Sequence, residues 1–178
     1  MRTLLLVLSL VFMSFTTNDS SEYRWNKNYK IQVSDFQLDA NMKKGQLASI
    51  STGIVFTRNW AGTYTFRSYA VSDRKQSRIS PKAYNGYRLQ EVLAHEQLHF
   101  DISEYVSRLL NSRLRHIKDP IIADKLYNEY LNMLGDIQTI YDAQTEHSCD
   151  TLWQAKWQKN MDRLLSMDDP DNSWKMYP

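Results

Sequence analysis

His95-Glu96-Gln97-Leu98-His99 constrains this chain more than any other stretch of it. The pentapeptide lies in an apolar run, and the series Val92, His95, His99, Ile102, Val106 and Leu109 recurs at three- and four-residue spacing. That spacing predicts a helix whose inward face carries both histidines. Residues four apart on a helix stand one above the other, so the two imidazoles can converge on one ion. Paired histidines also occur as ordinary packing residues, but an unpaired imidazole on an inward face is costly to bury. Glu96 sits one residue round from His95, within reach of a metal-bound water without being a ligand. Two histidines and a glutamate so spaced are the pattern of a zinc hydrolase, in which the ion acidifies a water and the glutamate takes its proton.

The rest of the chain is read around that helix. Between Tyr29 and Ser80 the pattern is that of strands: Tyr29 to Val33 alternates, as do Ser49-Ile50-Ser51 and Tyr64-Thr65-Phe66, the last running on toward Tyr69. Gly45, Gly53 and Gly62, with Asn59-Trp60-Ala61-Gly62, supply turns or a bulge. Pro81 through Gly86 is a break. After it, a first helix is expected from about Tyr87 to about Arg115, carrying the motif. Asp119-Pro120 opens a second, with Ile122, Leu126, Tyr130, Leu134, Ile137 and Tyr141 on one stripe. A third runs from near Asp150 to Ser166, its Trp153, Trp157, Met161 and Leu164 reading as core residues. The tail from Met167 to Pro178 reads as extended. The fold class is therefore α+β, a small, mostly antiparallel sheet followed by about three helices.

Met1-Arg2-Thr3 and the apolar run Leu4 to Phe15 make a short basic segment followed by a stretch too short to span a bilayer comfortably. They are read as a secretory signal peptide over 1–17, leaving 18–178 as the working domain, with Asn18 to Asn28 a polar lead-in. The expected location is secreted or periplasmic, in a bacterium, with no membrane span once the leader is removed. Among 178 residues there is one cysteine, Cys149, so no intramolecular disulfide can hold an exported domain of this size. The core, 42% of the chain being hydrophobic, or a metal must do so. A net charge of +2 gives no reason to expect nucleic acid as a partner.

A catalytic zinc site has three protein ligands and an open position. His116 ends a basic helix, where a histidine suits the helix dipole, and reads as structural. His147, at the end of the second helix, is the favoured third ligand. Asp142 and Glu146, one turn apart on that helix, are rival oxygen ligands, and Asp142 can alternatively orient a histidine from behind. Tyr141 is a candidate donor to the developing oxyanion, by position only.

The stretch Leu93 to Glu104 resembles the signature of the DUF922 family, predicted secreted zinc-dependent proteases of bacteria. Tyr141-Asp142-Ala143-Gln144-Thr145-Glu146-His147 is similar to that family's second block, Y-D-x-x-T-x-H, which glycine usually follows; here Ser148 stands instead. Weaker likenesses run through Trp25 to Phe36 and Ala48 to Ile54. The resemblance implies a zincin-like fold and a peptidase acting on a peptide or protein substrate.

The expected function is thus a secreted Zn2+-dependent peptidase, with His95, His99 and His147 on the ion and Glu96 as general base. A zinc-binding but non-catalytic exported interaction domain is the alternative, against which Glu96 speaks, since zinc affinity does not need that carboxylate. Glu96-Gln97-Leu98-His99 also spells Glu-x-x-His, the unit of carboxylate-bridged di-iron helical proteins. Those need a second such unit, and this chain has none.

Overall fold

A computed structural model of the chain describes residues 21–167. The leader expected over 1–17 and nearly all of the expected extended tail lie outside the described residues. Six strands come first: β1 (Glu22–Arg24), β2 (Gln37–Leu38), β3 (Ala48–Ser49), β4 (Thr52–Trp60), β5 (Tyr64–Asp73) and β6 (Arg78–Ile79). Four helices follow: α1 (Pro81–Tyr84), α2 (Leu89–Leu114), α3 (Pro120–Thr145) and α4 (Thr151–Leu165). The α+β class is as the sequence pattern implies. The strands form two sheets of three, in the orders β1-β5-β4 and β2-β6-β3, with β2 and β6 parallel and the other pairings antiparallel.

Local chemistry explains most boundaries. Strands β4 and β5 alternate in register from Thr52 opposite Ser72 to Trp60 opposite Tyr64, and Gly62 takes the positive φ of 75° that their tight connection requires. Asp119 caps α3 by accepting from the Ile121 amide, with Pro120 in the first turn. Asp150 caps α4 by accepting from the amides of Leu152 and Trp153.

Two expectations on the N-terminal side are corrected. Tyr29 to Val33 alternates in sequence but forms no strand, because its backbone donors go elsewhere: the Ile31 amide to Gln97 Oε1 at 2.9 Å and the Gln32 amide to Asp35 Oδ2 at 2.8 Å. Within the polar lead-in expected over Asn18 to Asn28, Glu22–Arg24 is a strand, paired antiparallel with β5. Pro81 to Tyr84, read as part of a break, makes one helical turn capped by Ser80.

Helix α2 is the hub. One face buries Leu98, Ile102, Tyr105, Val106, Leu109 and Leu110 against β4, β5, α3 and α4; another buries Val92 and Phe100 with Ile31, Phe36, Ala48, Ala70 and Ile79. Each large apolar side chain so enclosed contributes about 1.5–3 kcal/mol of transfer free energy. The α3 stripe is inward from Leu134 to Tyr141, whereas Ile122 is exposed and the neighbouring Ala123 takes its inward place. Trp157 is core, as expected, and its indole N–H donates to Gln144 Oε1 at 2.8 Å. No helix among the described residues is long and apolar enough to cross a membrane.

The back of the motif helix is locked by polar groups, one of which, Gln97, belongs to the motif itself. Gln97 accepts from the Ile31 amide through Oε1 and donates through Nε2 to Asp101 Oδ1 at 3.0 Å; the Trp25 indole N–H donates to the same oxygen at 2.7 Å. Residues 25–31 are thereby held on α2, behind the face that carries His95 and His99.

Candidate metal centre

The i, i+4 spacing on α2 does what the sequence pattern requires. His95 Nε2 and His99 Nε2 lie 3.3 Å apart, with both residues buried. Two donors about 2.0–2.1 Å from a tetrahedral ion stand about 3.3–3.4 Å apart, so the pair is already spaced for one. Helix α3 brings Asp142 to them: its Oδ1 is 3.0 Å from His95 Nε2 and 2.9 Å from His99 Nε2. Burial raises the Asp142 carboxyl, but hydrogen bonds from both histidines and their charge outweigh it and hold the group well below the usual carboxylate range. His147 Nδ1 lies 3.6 Å from Asp142 Oδ1, its side chain 66% exposed against 31% for Asp142. Donor atoms of His95, Asp142 and His147 all fall within 4.8 Å of one another, a group that could hold a metal ion.

The structure therefore brings His95, His99, Asp142 and His147 together and leaves Glu146 outside. Glu146 is exposed and begins the turn that ends α3. Asp142, a rival ligand on sequence grounds, lies within hydrogen-bonding distance of both buried histidines, while His147 stands on the solvent side. His116 lies beyond the end of α2, exposed and outside this group.

Tyr141 is no oxyanion donor in this arrangement. Its hydroxyl donates to Gln154 Oε1 at 2.7 Å and approaches the His95 carbonyl oxygen at 3.1 Å, and the residue is fully buried. Its ring stacks on His95 with centroids 4.6 Å apart and meets His99 edge-on at 4.9 Å. It is a wall for the histidines. Gln154, on α4, and Thr145 face the other nitrogen of His95, at 3.3 Å and 3.4 Å from Nδ1. A proton on Nδ1 donated to Gln154 leaves the Nε2 lone pair for a metal. Sequence reasoning missed Gln154, since nothing in its local pattern says which histidine its helix will reach.

Glu96 is buried, and its Oε2 accepts from the Ile50 amide at 2.8 Å. Burial pushes its carboxyl up to about 7, with His95 and the Ile50 amide pulling the other way. That is the range in which a carboxylate works best as a general base near neutrality. The Ile50 contact also explains why Ser49-Ile50-Ser51 is not a continuous strand. The Ile50 amide goes to Glu96 and the Ser51 amide to Ser77 Oγ, so β3 stops at Ser49 and β4 begins at Thr52. A cleft of about 130 Å³ opens over the group, walled by Leu47, Ala48, Ser49 and Ile50 on one side and Gln138 and Ser148 on the other.

The end of α3 has an uncommon backbone. Glu146, His147 and Ser148 are successive non-glycine residues with φ of 46°, 49° and 78°, a left-handed run that L side chains resist. Hydrogen bonds donated by the amides of His147 to the Asp142 carbonyl, of Cys149 to that of Glu146 and of Asp150 to that of Thr145 close it. Ser148 occupies a conformation that glycine adopts freely. Ser148→Gly is expected to stabilise the protein by about 1 kcal/mol. A urea midpoint moving upward at constant slope would show it, and a downward move would mean that the Ser148 side chain contributes more than its backbone costs.

Compared with family models, curated proteins and solved structures, the chain matches none of them.

Proposed function

We propose that the protein is a zinc-dependent peptidase. The observation that carries this reading is the convergence of His95, His99 and Asp142 donors at separations of 2.9 to 3.3 Å, with the buried Glu96 carboxylate lining the same cleft. Nitrogen and carboxylate oxygen donors in a compact, tetrahedrally spaced set suit zinc. His95, His99 and Asp142 would hold the ion, with His147 on the solvent side next to the open fourth position. When bound, zinc supplies Lewis acidity, activating a water and polarising a carbonyl. Glu96 takes the proton of the attacking water and returns it to the leaving amine. The Ile50 amide keeps its carboxylate aimed, and Tyr141 and Gln154 keep the His95 ring from turning. Strand β3 is an edge of its sheet beside the cleft, and a sheet edge suits an extended peptide laid on as a further strand. The likeness to the DUF922 signature, and export by the leader, belong to the same reading.

A specific observation favours a second one. Four donors surround the site, and a zinc closed by four protein ligands is structural. The two readings part on whether His147 leaves the fourth position open. The test is hydrolysis of a broad peptide pool by purified protein, its loss on chelation and its return with zinc. The peptidase reading expects all three. Stoichiometric zinc without any cleavage would favour the closed, non-catalytic site.

A further inference from the structure

The two ligand-bearing segments, α2 and the turn after α3, are joined by a side chain that belongs to neither histidine's neighbourhood in sequence. Arg88 precedes α2 and has a left-handed backbone, φ 50°. Its guanidinium donates to the Ser148 carbonyl at 2.6 Å and to Cys149 Sγ at 3.3 Å. Ser148 is the last residue of the left-handed run, is buried, and directly follows His147. A charge-assisted bond of this length is among the stronger ones available to a backbone carbonyl. It spans 60 residues of chain from a half-buried arginine. The run it ties down costs conformational energy at each of three positions, so it persists only while its surroundings hold it.

We infer that Arg88 is a positioning residue for His147. By holding the Ser148 carbonyl against the start of the helix that carries His95 and His99, it sets the distance from the exposed His147 imidazole to the other donors. The inference rests on the metal reading above in which His147 is a donor to the ion, and it is specific to that donor. The Arg88 hydrogen bonds go to Ser148 and Cys149, so its path to the site runs through Ser148 and His147.

Zinc affinity, measured by competition with a chromophoric chelator on the full chain, tests this in a two-by-two set: parent, Arg88→Ala, His147→Ala and the double variant. Arg88→Ala is expected to weaken zinc about tenfold, in the range typical of groups that orient a ligand. In the His147→Ala background it is expected to cost nothing further, since the residue it positions is gone. A loss of equal size in both backgrounds, or none in the first, overturns the assignment. Amide exchange of the metal-free protein reads the clamp without any ion. The Cys149 amide, which closes the turn onto the Glu146 carbonyl, should exchange faster in Arg88→Ala than in the parent, and unchanged exchange would also overturn the proposal. A parent that takes up no zinc would remove the metal reading itself, an outcome separate from a parent that binds normally beside an unaffected Arg88→Ala.

Discussion

Glu96→Gln is expected to leave zinc in place and to lower peptide hydrolysis by about 10²–10⁴-fold, the usual worth of a positioned general base. The substitution is close to isosteric, and the amide oxygen can still accept from the Ile50 N–H that Glu96 Oε2 now receives at 2.8 Å. What disappears is the proton-accepting carboxylate. Glu96→Ala is the poorer experiment, because it would strand the Ile50 amide and add a folding penalty of about 1–3 kcal/mol. Zinc content by atomic absorption beside turnover on a peptide pool separates the two effects. If both proteins carry zinc and hydrolyse at the same rate, Glu96 is not the base.

Asp142→Asn is expected to weaken zinc by more than the roughly 100-fold that loss of a merely orienting partner costs. Asp142 Oδ1 lies 3.0 Å and 2.9 Å from the Nε2 nitrogens of His95 and His99. An oxygen that near both is itself placed to ligate, and its carboxyl stays ionised well below the usual range. Asparagine keeps the shape and removes the charge. The measurement is the same chelator competition, with His147→Ala alongside. Should His147→Ala lose zinc while Asp142→Asn holds it like the parent, the third ligand is His147 and Asp142 supports from behind; the enzyme class would be unaffected.

The motif helix was legible because its signal is local. A histidine pair at i, i+4 inside an apolar stripe specifies both the element and the face, and Asp119 and Asp150 mark the later helix starts by capping chemistry that needs no tertiary context. Alternation proved a weaker guide. Tyr29 to Val33 has the period of a strand, yet a strand exists only where a partner takes its backbone bonds, and Gln97 and Asp35 take those of Ile31 and Gln32 instead. The site was half visible. His95, Glu96 and His99 follow from spacing alone, whereas the relative closeness of Asp142 and His147 depends on how α3 lies on α2 and on a left-handed turn no local rule foretells. Gln97, Asp101, Gln154 and Arg88 act through partners 59 to 76 residues away, beyond the reach of any periodicity.

The single bond from Ile50 to Glu96 has a consequence for how such a protein would wear out. The donors His95, His99 and Asp142 are seated on long helices that share the larger core. Glu96 is steadied from the other side, by a residue between β3 and β4 next to a sheet whose three strands are two residues each. Short ladders with few buried contacts open at lower free energy than a helical core. Ageing or mild stress would therefore slacken Glu96 before it loosened His95, His99 and Asp142. On the peptidase reading, a molecule so slackened would keep its ion and lose its cleavage.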